Sequence, residues 1–259
     1  MPTSPAADGI TEDAVLGGRL RLRQPKRGHR VGHDAILLAA ACLARSGDKV
    51  VDLGAGVGAA GLAVAVRVPG TTVTLVEIDA KLAALADENV RLNGLEGRAR
   101  SVTLDVAAPS RAFAAAGLGA DSTTAVLMNP PFNDPARQRS SPDAARALAH
   151  AAPRSLLVPW VKTATRLLRA RGTLTLIWRA DGLSDVLAAL APAFGALAVT
   201  PVHPMADKPA IRILVTAVKE SRAALALLPP LVLADASAQP TATAEAVLRD
   251  GAALAPGKS

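Results

Sequence analysis

The sequence predicts an α/β protein with a mostly parallel, seven-stranded sheet and helices on both faces. Three observations support this. Apolar runs at 49–53, 72–78, 101–104, 125–128 and 173–178 alternate with stretches of helical period, and strands interleaved with helices make parallel sheets. The runs are apolar at consecutive positions, as in strands covered on both faces. One of them, Val50-Val51-Asp52-Leu53, opens into Gly54-Ala55-Gly56-Val57-Gly58, a turn that lets a ligand approach bare backbone at a helix start.

In chain order, residues 1–13 are rich in Pro, Ala, Ser and Asp and read as a flexible tail. A single domain is expected over 14–250, with 251–259 as a second tail. Its basic N-terminal arm, 14–34, begins with Leu16-Gly17-Gly18-Arg19-Leu20-Arg21-Leu22-Arg23. Apolar and basic residues alternate there, as in a short strand or hairpin with one charged face. Helices are expected over 33–45, 59–68, 80–92, 111–116, 153–169 and 183–194. The runs 198–202 and 211–218 finish the sheet as a terminal hairpin. Beyond 225 the pattern yields only a weak strand at 231–233.

Composition narrows the function classes. Half of the 259 residues are hydrophobic, too many for a disordered chain. The net charge of +7 and pI near 10.3 favour a polyanionic partner, although an Ala- and Arg-rich composition also arises from genomic base bias. A single cysteine, Cys42, excludes an internal disulfide and a cysteine-based zinc site, and it sits in an apolar run as buried filler. The four histidines lack metal-ligand spacing, so no metal is expected. The first residues lack a basic and an apolar region, and no apolar stretch approaches the ~20 residues of a membrane span. A cytoplasmic protein, with a monomer favoured, is the expectation.

Two ligand classes fit the glycine turn. Gly56-Val57-Gly58-Ala59-Ala60-Gly61 matches a dinucleotide fingerprint, and Glu77, ending the next strand, can accept both hydroxyls of a ribose. Asp52 would repel a pyrophosphate but suits the ammonium of a methionine moiety. Asp105, after the third strand, can accept from an adenine amino group. This favours S-adenosylmethionine over a nicotinamide.

The fourth strand runs into Met128-Asn129-Pro130-Pro131-Phe132. Two prolines stop the ladder and stiffen the turn at a carboxyl strand end, where α/β sheets bind ligands. The Asn129 carboxamide oxygen and the Pro130 carbonyl are two acceptors for both hydrogens of a planar amine. Holding both favours a pyramidal nitrogen whose lone pair faces an electrophilic methyl, so orientation supplies much of the catalysis. Phe132 offers a face on which a base can stack.

In the order VVDLGAGVG, VEID, LDV and NPPF, these motifs resemble Rossmann-like class I methyltransferases that act on amino groups of DNA, RNA and protein glutamine. The segment Gln24-Pro25-Lys26-Arg27-Gly28-His29-Arg30-Val31-Gly32-His33-Asp34 is similar to that of the bacterial tRNA(Val) adenine-37 N6-methyltransferase family. The resemblance spans about residues 12–250. It implies cofactor contacts from Asp52, Gly54, Ala55, Gly56, Glu77, Ile78, Asp105, Val106 and Asn129, with Val31, Gly32, His33 and Asp34 over the methionine end. It implies that Asn129, Pro130 and Phe132 hold the base. His33 stands where the family has a small hydroxyl residue, and the chain has no tyrosine.

Arg19, Arg21, Arg23, Lys26, Arg27 and Arg30, with Arg137 and Arg139 in the polar loop after Phe132, are candidate RNA contacts. The expected activity is methyl transfer to adenine N6 in tRNA. Alternatives are protein glutamine N5 or ribosomal RNA guanine N2, a non-catalytic RNA-binding module on the same fold, or a nicotinamide-dependent oxidoreductase.

Overall fold

The computed structural model describes residues 9–26, 31–131 and 157–254. Strands β1 (Ile10–Val15) and β2 (Leu20–Pro25) form an antiparallel hairpin. Then come α1 (His33–Ala41), β3 (Lys49–Leu53), α2 (Ala59–Arg67), β4 (Thr72–Glu77), α3 (Ala80–Leu92), β5 (Ala99–Thr103), α4 (Ser110–Ala115) and β6 (Thr123–Met128). Helix α5 (157–167) leads into β7 (Leu168–Arg179), α6 (Leu183–Leu190), β8 (Phe194–Met205) and β9 (Arg212–Lys219). The chain ends with β10 (Ala226–Leu227), β11 (Leu231–Ala234) and α7 (Ala242–Leu248).

The main sheet has the order β10-β8-β9-β7-β6-β3-β4-β5, with β11 also paired to β8. Only β9 runs against its neighbours, so the sheet is mostly parallel as expected. It has nine strands rather than seven, because residues 226–234 add two short strands along the outer edge of β8. From β3 the chain winds outward through β4 and β5, then returns to β6 on the other side of β3. The crevice at such a reversal is where open α/β sheets bind ligands.

Successive residues of one strand feed different cores. Val50 packs with α1 and α2 on one face, whereas Val51 and Leu53 join Phe113, Leu157, Val161 and Trp178 on the other. Burial on both faces accounts for the unbroken apolar runs. Gly61 gives close helix–sheet packing, since a Cβ there would lie 3.0 Å from the Val73 side chain and would overlap Leu75.

The arm is a hairpin with Leu20 and Leu22 buried and Arg21 and Arg23 exposed. It begins at Ile10, inside the stretch read as tail, so the expected 1–13 boundary moves. Helix α3 borders its edge. Asn89 accepts from Arg23 N at 2.7 Å and donates to Arg23 O at 3.0 Å, and Asn93 does the same for Arg21 at 2.9 and 2.7 Å. A four-residue helical step spans about 6 Å and a two-residue strand step about 6.6 Å, so the two amides match alternate residues of β2. Helix α7 lies in the Ala-rich segment that gave no pattern, and buries Ala244 and Val247 beside α1.

Candidate active site

The expected site residues converge at the carboxyl ends of the parallel strands. Gly54, Ala55 and Gly56 follow β3, Glu77 ends β4, Asp105 lies two residues beyond β5, and Asn129 follows β6. Leu53 is in register with Met128, so Gly54 and Asn129 leave adjacent strands side by side at the reversal point.

The turn is held by its own main chain and by two carboxylates. Gly54 N and Ala55 N donate to Val76 O at 2.8 and 2.9 Å, and Gly54, Gly56 and Gly58 all have positive φ. Glu77 is 7 % exposed; its oxygens accept from Gly56 N at 2.8 Å and Asp79 N at 2.9 Å. Beside it Ile78 is 63 % exposed, an apolar side chain at the lip of the crevice. Asp105 is exposed and accepts from Ala107 N at 2.8 Å.

Two expectations change. Asp52 is 2 % exposed and turned inward, where Oδ2 accepts from Gly61 N at 2.8 Å. It therefore closes the first turn of α2, satisfying a helix N–H that has no partner within the helix, instead of presenting a free carboxylate to an ammonium. Burial pushes its pKa up from 3.8 to about 7, with the nearby Glu77 charge adding to the rise and the Gly61 bond opposing it. Val106 is also buried, and its carbonyl accepts from Thr163 Oγ1 of α5 at 2.8 Å, so its side chain belongs to the core.

Asn129 is half-buried, and its Oδ1 is sealed from solvent with no hydrogen-bond partner among the described residues. Leaving a buried acceptor unmade costs about 1–3 kcal/mol, so a donor reaching this atom would stabilise it. Pro130 beside it is buried. Phe132 lies outside the described residues.

The segment expected over the methionine end reaches the same sheet edge. Asp34, in the first turn of α1, accepts from Arg212 Nε at 2.9 Å; Arg212 begins β9 opposite Arg179, the last residue of β7. Val31 N donates to the buried Gln24 at 2.8 Å, and Gly32 and His33 are exposed.

The basic face is more committed than its sequence implied. Arg21 and Arg23 pair with Glu12, and Arg23 also lies 3.5 Å from Glu88. Arg19 binds the carbonyls of Leu16 and Asp250. Lys26 is exposed. Arg27, Arg30, Arg137 and Arg139 lie outside the described residues, as do His29 and His150. Cys42 is buried, with its thiol pushed up to about 11 by desolvation, as filler would be. Among the described residues no group of His, Cys, Asp or Glu could hold a metal ion, and no helix is long and apolar enough to cross a membrane.

One residue absent from every motif stands in the crevice. Trp160 of α5 meets Gly54 with the outer edge of its six-membered ring; a Cβ on Gly54 would overlap that edge and lie 2.9 Å from Cζ3. A lone tryptophan in a helix reads as core, so only the packing shows its place.

A family model for the methyltransferase small domain matches residues 30–201. No curated protein matches the chain by sequence. Among solved structures, a predicted O-methyltransferase from Agrobacterium tumefaciens is 31 % identical with a TM-score of 0.73, covering 87 % of this chain and 100 % of its own. TrmN from Thermus thermophilus is 22 % identical with a TM-score of 0.51, covering 72 % and 48 % of the respective chains. An S-adenosylmethionine-dependent O-methyltransferase from Thermotoga maritima is 18 % identical at 0.52, covering 76 % and 69 %. The last two likenesses show a shared fold, that of Rossmann-like class I methyltransferases.

Proposed function

Since the chain belongs to the methyltransferase small domain family and takes S-adenosylmethionine as its cofactor, we propose that it methylates an exocyclic amino group, adenine N6 in tRNA. The observation that carries this reading is the sealed, unpartnered Asn129 Oδ1 beside the glycine turn. A neutral acceptor favours a group that brings its own N–H. The Pro130 carbonyl is the second acceptor, and a planar NH₂ has two hydrogens to give.

The residues present suit the cofactor. Gly54–Gly56 give a bare surface, Glu77 and Asp105 are carboxylates on neighbouring strand ends, and Ile78 is an exposed apolar side chain next to Glu77. In this reading Glu77 accepts from the ribose, Asp105 from the adenine amine, and residues 31–34 cover the methionine end. The bound cofactor supplies an electrophilic methyl on a positively charged sulfur. Asn129 and Pro130 hold both N–H bonds, turn the nitrogen lone pair toward that methyl, and stabilise the positive charge that grows on the amine as the sulfur leaves neutral; the methylated nitrogen then loses one proton to water. Phe132 stacks the base.

RNA as the carrier of the amine is supported by the charge of +7 and by the resemblance of the 24–34 segment. A hydroxyl acceptor, favoured by the description of the Agrobacterium relative, has one hydrogen and needs a base to remove it. The Asn/Pro pair would serve a glutamine amide or guanine N2 equally well. Incubation with labelled S-adenosylmethionine and total RNA, followed by digestion to nucleosides, separates these readings. N6-methyladenosine is expected; label in guanine, in a ribose or only in added protein overturns the assignment, and absence of any transfer leaves an RNA-binding module.

A further inference from the structure

We propose that Trp160 is the aromatic wall of the methyl-transfer pocket and packs against the donor's positively charged sulfur, so that the site prefers the charged donor over the neutral product. The proposal rests on the cofactor reading above and names a residue outside every motif.

Three placements lead to it. Gly54 and Asn129 are neighbours across the reversal point, so in this reading methyl and amine meet in the crevice that opens beyond their strand ends. The Trp160 ring touches Gly54 with the edge formed by Cζ2, Cη2 and Cζ3. A ring that meets Gly54 by its edge leaves its faces free to border that crevice. Trp160 is also only half-buried, although Ala164 and Leu167, one and two turns on along the same helix face, are at 0 % exposure. Part of the indole is therefore left uncovered where the helix reaches Gly54.

The helix that carries the ring is held in place. Leu157, Val161 and Leu167 anchor α5 in the core, and Thr163 ties it to the Val106 carbonyl beyond β5. A sulfonium entering this partly dry crevice needs compensation for lost water. The carboxylate nearest in sequence, Asp52, points the other way, to Gly61. An indole face attracts cations through its quadrupole, more strongly where water is excluded.

Titration calorimetry with S-adenosylmethionine and S-adenosylhomocysteine reads the effect without turnover. Trp160→Leu, which keeps apolar bulk, should weaken donor binding by about tenfold, and product binding by less than about threefold. Trp160→Phe should retain most of the preference. Equal losses for both ligands, or none, overturn the proposal and leave Trp160 as packing. Wild-type protein that binds neither ligand overturns the cofactor reading instead.

Fluorescence covers the case of a leucine variant that does not fold. The chain has two tryptophans and no tyrosine, and Trp178 is buried at 2 % exposure. In Trp178→Phe the donor should change the emission of Trp160 more than the product does. Identical responses, or none, contradict the charge preference.

Discussion

At Asp52 a carboxyl group lies beneath the glycine turn, and the direction of its proton equilibrium gives a stability prediction. Its folded pKa, about 7, exceeds the ordinary 3.8, so between those values the native state binds a proton that the unfolded chain has released. Stability contributed at this site therefore falls as pH rises from about 4 to about 7 and levels off above. Asp52→Asn keeps an acceptor for Gly61 N and removes the titration, so the variant should gain in melting temperature over wild type across that window. Parallel profiles would show that Asp52 ionises normally. Gly54 offers a second test. Alanine there meets a positive φ and the Trp160 ring, whereas Gly56 has a positive φ and open space. Gly56→Ala should cost about 1–2 kcal/mol, and Gly54→Ala more in urea denaturation, with cofactor binding lost. The convergence of the glycines, Glu77 and Asn129 at one end of the sheet was legible because it follows from residue type and the spacing of strand ends. The inward turn of Asp52 and the position of Trp160 were not, because both are set by packing against elements distant in sequence.

Helix α3 and the hairpin show how one element is fixed by another. Asn89 is fully buried and joins Arg23 of the hairpin to Val57 O of the glycine turn at 3.0 Å. Asn89→Ala strands several main-chain groups, each costing about 1–3 kcal/mol if left unpaired; protection of hairpin amides from hydrogen exchange should fall before that of β3. Protection unchanged from wild type would show that the amides are incidental. The alternation of Leu20 and Leu22 with Arg21 and Arg23 announced the hairpin. The acidic partners were hidden, since Glu12 and Glu88 come beside these arginines only through the β1–β2 register and the docking of α3. If the arm grips phosphates, Glu12→Gln frees Arg21 and Arg23 and should tighten tRNA binding at low salt with little change in stability. Unchanged affinity would place the RNA contact elsewhere.

Across the whole molecule, the parallel order and both cores followed from apolar runs that only a doubly covered sheet satisfies. The outer edge and α7 did not, because short strands and an Ala-rich helix carry little periodic signal. What the fold achieves is a reversal of winding that sets Gly54 beside Asn129, a bare backbone beside an unpartnered acceptor. The most direct test is the rate of labelled methyl transfer by Asn129→Ala at saturating donor and RNA. Loss of one positioned hydrogen-bonding group in an active site costs on the order of 100-fold in rate, and that drop is predicted, with the variant folded as judged by its melting temperature. A variant that turns over at the wild-type rate would contradict the account.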